Sequence, residues 1–123
     1  MKRITIPVNN KSFYRSFLDI LKSRPPIDSL RPKEMDVLAE IMFQHASLIH
    51  LDAKDRYDIL FSTRKRKEMR EIVGISEESF NNNLSILRRK GLITKDNKLN
   101  KSIETVVFKD SFSLEFLFKN ENA

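Results

Sequence analysis

The 123-residue sequence predicts an α+β, mostly helical fold, and three observations carry that expectation. Apolar residues recur at helical spacing along most of the chain, as in Met35, Leu38, Ala39 and Met42, and again in Phe80, Leu84 and Leu87. Strand-like alternation is confined to the two ends and to the stretch after Gly91. The two glycines, Gly74 and Gly91, both fall within residues 63–100. Gly74 stands where a tight turn needs positive φ, and Gly91 just past the end of a helix.

In chain order, Ile4, Ile6 and Val8 alternate over residues 3–8 and predict a short strand, which Pro7 confines to a sheet edge. Asn9 or Asn10 can cap the next helix, over residues 11–22, whose stripe is Phe13, Phe17, Ile20 and Leu21. Arg24-Pro25-Pro26 stops it. That aromatic stripe is read as core. A second helix begins at Pro32, a favoured first-turn residue, and Val37 and Ile41 widen its Met35–Met42 face. Asp52 can cap a third segment running through Tyr57, Leu60 and Phe61.

The stretch from Thr63 to Asn100 is the centre of the reading. A basic helix with Met69, Ile72 and Val73 as its apolar residues leads into a turn opened by Gly74 and plugged by Ile75. Ser76 then starts a second helix that ends in Arg88-Arg89-Lys90-Gly91, and Leu92-Ile93-Thr94 begins a strand. A helix, a glycine-containing turn, a second helix and a short hairpin together describe a winged helix-turn-helix. The expected organisation is a single compact domain. Residues 1–30 form an N-terminal strand and helical extension. Residues 31–102 form the winged helix-turn-helix core, with the turn at 74–76, the second helix at 77–90 and the wing at 92–101. Residues 103–123 form C-terminal strands and a tail.

In that last segment Ile103 to Phe108 is β-rich, Lys109-Asp110-Ser111 reads as a turn, and Phe112, Leu114, Phe116 and Phe118 alternate on a second strand, a C-terminal β-hairpin. These four large side chains need cover. They can pack within the same protomer, on the Phe13/Phe17 helix or beside the N-terminal strand, or they can join a homodimer or larger assembly. The N-terminal strand's need for a partner favours the first arrangement. Residues 121–123 are expected to fray.

Glu68-Met69, Val73-Gly74-Ile75-Ser76, Phe80, Leu84, Leu87 and Gly91-Leu92-Ile93 resemble the core of bacterial and phage winged-helix DNA-binding proteins. The resemblance covers roughly a third of the chain. It implies a trihelical core whose first helix starts at Pro32, and it speaks more for fold than for function. Arg70 departs from the pattern, because the family usually has a small residue four positions before the turn glycine. Either the two helices splay, or the Arg70 stem snorkels out of the contact.

Charge points the same way. Residues 62–101 hold eleven Lys/Arg and five Asp/Glu, which accounts for the whole formal net charge of +6, whereas the rest holds twelve of each. A basic excess concentrated on one unit is the footprint of a polyanion binder. With the second helix in a major groove, its outward residues Asn81, Asn82, Ser85 and Glu78 are the candidates to read bases. Asn can bond bidentately to adenine, Ser to either edge, and Glu can accept from cytosine. Arg64, Lys65, Arg66, Lys67, Ser76, Arg88, Arg89, Lys90, Lys95, Lys98 and Lys101 are the candidates to hold phosphates. Asn83 borders the buried stripe and is read as structural. Glu77 and Glu78 oppose this picture, since they suit the helix dipole but bring negative charge towards a DNA backbone.

Other chemistries find little support. There is no cysteine, and the two histidines, His45 and His50, have no ligand spacing, so no metal site is expected. Nothing resembles a nucleophile elbow, a phosphate-cradling glycine loop or a paired-carboxylate site, so no enzyme and no cofactor are expected. The absence of a signal-peptide core or a membrane-length apolar run predicts a soluble cytoplasmic protein without membrane partners. The expected function is therefore sequence-dependent binding of double-stranded DNA, as in a small transcriptional regulator of bacterial or phage origin. The alternative is a phage structural or replication-complex component that uses the same unit and the apolar C-terminal strand for protein contacts.

Overall fold

The computed structural model describes residues 2–7, 13–101, 103–104 and 111–116, the first and last of these segments as backbone. Five α-helices are seen among them: α1 (Phe13–Ile20), α2 (Pro32–Ser47), α3 (Ala53–Leu60), α4 (Thr63–Val73) and α5 (Glu77–Arg89). Two short 3-10 turns, Leu21–Ser23 and Ile27–Ser29, link α1 to α2. The terminal strands β1 (Lys2–Pro7) and β2 (Ser111–Phe116) pair antiparallel, with Ile4 opposite Leu114 and Ile6 opposite Phe112.

The sixteen-residue α2 is the hub, against which α1, α3, α4 and α5 all pack. Pro32 opens it with a φ already suited to the helix. Arg31 makes no side-chain cap, and the cap comes instead from Glu34, whose Oε1 accepts from the Arg31 backbone N at 2.9 Å. Met35, Val37, Leu38, Ala39, Ile41 and Met42 are all buried. That is wider than one stripe because neighbours approach from several sides. On α1 the buried residues are Phe13, Tyr14, Phe17 and Leu18, so the aromatic face is core, as expected, but Tyr14 and Leu18 replace Ile20 and Leu21 at its centre. The Phe13 and Tyr14 rings meet edge to face at 5.0 Å.

The expected winged helix-turn-helix with a C-terminal β-hairpin is corrected on both of its β parts. Residues 92–101 form no wing hairpin, and the described chain there has one isolated bridge, Ile93 to Leu99. The reason lies in the polar side chains. The Thr94 hydroxyl accepts from Lys98 N at 3.1 Å, and Asn97 takes a positive φ of 61°, which closes a tight turn at once. Asn100 Oδ1 then accepts from Ile103 N at 2.9 Å and restarts helical backbone, so no residues are left to extend a ladder. Ile103 and Glu104 are accordingly helical rather than β. Among the described residues the C-terminal strand pairs with β1, where the expected partner was the segment of residues 103–108. Of those, 105–108 lie outside the described residues, as do Asn9, Asn10, Lys11, the turn residues Lys109 and Asp110, Phe118 and the 121–123 tail.

Candidate nucleic-acid interface

The helix–turn–helix is built by local rules that the sequence carries openly. The Ser62 hydroxyl accepts from Lys65 N at 3.2 Å and caps α4. Gly74 ends α4 in the left-handed region at φ 84°, with its N–H on Arg70 O at 2.8 Å. The Ser76 hydroxyl accepts from Ser79 N at 3.1 Å and starts α5. Gly91, at φ 80°, follows the other end of α5.

Phe80, Leu84 and Leu87 are at most 1% exposed and lock one face of α5 into the core with Met69, Leu92 and Ile93. Asn83 is also buried and donates from Nδ2 to Ser79 O at 2.8 Å, so it is structural, as read from its place beside the stripe. The opposite face presents Glu78, Asn81, Asn82, Ser85 and Arg89, all exposed. Their spacing of three, four, seven and eleven from Glu78 makes them one row along the helix. All four expected base-reading residues therefore stand together on solvent.

The expected phosphate ligands divide into two groups. In the first, the cation is already engaged within the protein. Lys65 Nζ lies 2.9 Å from Glu68 Oε2 and donates to Gln44 Oε1 on α2 at 3.3 Å. The Glu68 carboxyl is held below its usual range chiefly by that Lys65 hydrogen bond. Lys90 Nζ donates to Ser29 O at 2.8 Å and sits 3.5 Å from the buried Glu34 carboxylate. Arg88 Nε donates to Asn97 Oδ1 at 2.9 Å and so holds the 94–98 turn against α5.

The second group faces outward. Arg64 is extended into solvent, 3.8 Å from Glu68, and Arg89, Lys95, Lys98 and Lys101 are exposed, Lys98 lying 3.7 Å from Asp96. Arg66 and Lys67 border a groove between α4 and α5 of about 120 Å³, together with Thr63, Arg70, Glu77, Phe80 and Asn81. Ser76 is exposed, but its hydroxyl serves the helix cap.

Sequence reasoning takes Arg70 as a steric departure that splays the helices or snorkels out of their contact, and does not name it as a groove cation. The residue is half-buried and lines the groove. The signal was present, because Thr63, Arg66, Lys67 and Arg70 are spaced by three, four and seven and must share a face of α4.

Away from this surface, His45 is buried on α2 and its Nε2 accepts from Arg56 Nε at 3.0 Å. Burial, helped by the Arg56 charge, pushes the His45 imidazole down to about 4. Tyr57 stacks on the His45 ring at 4.8 Å and donates its hydroxyl to Glu104. This cluster joins α2, α3 and the segment after Asn100. Among the described residues no group of acidic, His or Cys side chains could hold a metal ion, and no helix is long and apolar enough to cross a membrane. No protein-family model, curated protein or solved structure matches the chain.

Proposed function

We propose that this protein binds double-stranded DNA, laying α5 in the major groove, and that it works without a cofactor as a small regulator of transcription. The observation that carries the reading is the exposed row Glu78, Asn81, Asn82, Ser85 and Arg89 on a helix whose other face is anchored in the core. A rigidly backed helix presenting amide side chains suits readout of base edges, with Asn81 and Asn82 bonding bidentately to adenine. The exposed cations Arg64, Lys67, Arg89, Lys95, Lys98 and Lys101, with the half-buried Arg66, supply phosphate contacts.

Fluorescence anisotropy of a labelled mixed-sequence duplex, titrated at several salt concentrations, tests this. Binding should weaken steeply with salt, by about 0.9 in log–log slope for each phosphate neutralised. Site selection from random DNA should then yield an adenine-containing motif. An Asn81→Ala/Asn82→Ala variant should lose discrimination at those positions, by about 1–3 kcal/mol for each bidentate pair, while keeping the salt slope. A wild-type protein that ignores duplex DNA even at low salt would sink the reading.

A second reading draws on Glu77 and Glu78, both exposed in the first turn of α5. Two carboxylates there would repel a DNA backbone and would suit a basic protein surface. On that reading the chain is an interaction module in a larger assembly or a homodimer, and a defined oligomer indifferent to DNA would favour it.

A further inference from the structure

We propose that the groove between α4 and α5 seats one phosphate oxyanion, and that Glu77 at its rim is a built-in competitor that limits how tightly the phosphate is held. The phosphate is taken to be a backbone phosphodiester, so the proposal rests on the DNA-binding reading.

Three cations line this groove from one face of α4: Arg66, Lys67 and Arg70. Among the described residues none of them forms an ion pair or a side-chain hydrogen bond, whereas their neighbours Arg64 and Lys65 both lie against Glu68. Arg66 Nε is enclosed and has no protein acceptor. The enclosed Nε fixes the stem of Arg66, and the guanidinium charge, without an ion-pair partner among the described residues, is left for an external anion to meet. Phe80, 1% exposed, anchors the α5 side of the groove in the core.

Size selects the ligand class. The groove's volume of about 120 Å³ is roughly four times the ~30 Å³ share of one water molecule. Pockets for whole small molecules run to about 300–1,000 Å³. One phosphate group fits within it.

Glu77 gives the site its distinctive behaviour. Glu77 lines the same groove and is exposed. An ionised carboxylate at the rim of a groove lined by three cations lowers its positive potential and repels an arriving phosphate. Asn81 lines the groove as well and belongs to the base-facing row. A phosphate seated here would set the register in which Asn81 meets a base edge.

The test compares two variants with the same change in net charge. Glu77→Gln removes the carboxylate in the groove, and Glu71→Gln removes an exposed one on α4 that does not line it. In duplex anisotropy at low salt, Glu77→Gln should tighten binding about threefold or more and Glu71→Gln by less than about twofold, since only a close charge escapes screening. Arg66→Gln/Arg70→Gln should flatten the salt slope by about 0.9, the share of one phosphate. If the wild type binds duplex but the two Glu variants behave alike, the groove proposal is overturned and the DNA reading stands. If the wild type does not bind duplex, the DNA reading falls, and inorganic phosphate titrated against the backbone amide spectra decides the groove alone. Shifts across residues 63–70 that vanish in Arg66→Gln/Arg70→Gln support an oxyanion site for free phosphate, and unmoved spectra overturn it.

Discussion

α2 and α4 pack against each other and treat their charges in opposite ways. On α2 four polar residues, Glu34, Glu40, Gln44 and His45, are buried and bonded. Glu34 is held by the Arg31 amide and Lys90, Gln44 Nε2 donates to Glu40 at 2.7 Å, and His45 accepts from Arg56. On α4 the only buried residue is Met69, and three of its cations have no protein partner among the described residues. A desolvated charge must be satisfied inside the protein, so it belongs to stability. A solvated, unpaired charge on a well-anchored helix contributes little to stability and remains open to a partner. Lys65 is the exception that marks the border, an α4 cation that α2 has claimed through Gln44.

The comparison can be broken most strongly at Lys90, which caps the C-terminal end of α5 but serves α2. In Lys90→Met the buried Glu34 carboxylate loses its cation, while the Arg31 amide bond remains. Full burial would cost about 3–5 kcal/mol and a surface pair about 0–1. With Lys90 a quarter exposed, urea unfolding should show a loss of about 2–3 kcal/mol. A loss within experimental error would mean that Glu34 is solvated after all.

A somewhat smaller effect is expected at His45. Unfolded, it takes a proton below about 6.5, but folded it resists until about 4. Between those values the unfolded state binds more protons, so stability falls as the pH drops through the window. From pH 7 to pH 5 the loss should be about 2 kcal/mol. His45→Gln should flatten that slope, and an unchanged slope would place the acid sensitivity elsewhere.

The smallest effect on stability sharpens the contrast. Lys67→Ala should leave urea unfolding within about 0.5 kcal/mol of the wild type. It should nevertheless weaken duplex binding at low salt, with a drop in salt slope of less than one phosphate because Arg66 and Arg70 line the same groove. A variant that unfolds early would show that Lys67 is structural, like Lys65 and Lys90.

The helix–turn–helix was legible in the sequence because its determinants are local. Ser76 caps the nearest amides, Gly74 and Gly91 take the positive φ that a side chain resists, and Phe80, Leu84 and Leu87 share a face through helical period alone. The same period placed Glu78, Asn81, Asn82 and Ser85 outward before any tertiary contact was considered. What tertiary structure decided was which partners those charges meet. Lys65 finds Gln44 twenty-one residues away, Lys90 finds Ser29 sixty-one away, and β1 finds a strand from the other end of the chain. The wing failed for a mixed reason, since Thr94, Asn97 and Asn100 close a turn and cap a helix where β-propensity alone suggested strands. Periodicity and caps act over a few residues, so one sequence specifies them. Ion pairs and strand pairing join distant residues, and only the packed chain around α2 chooses among them.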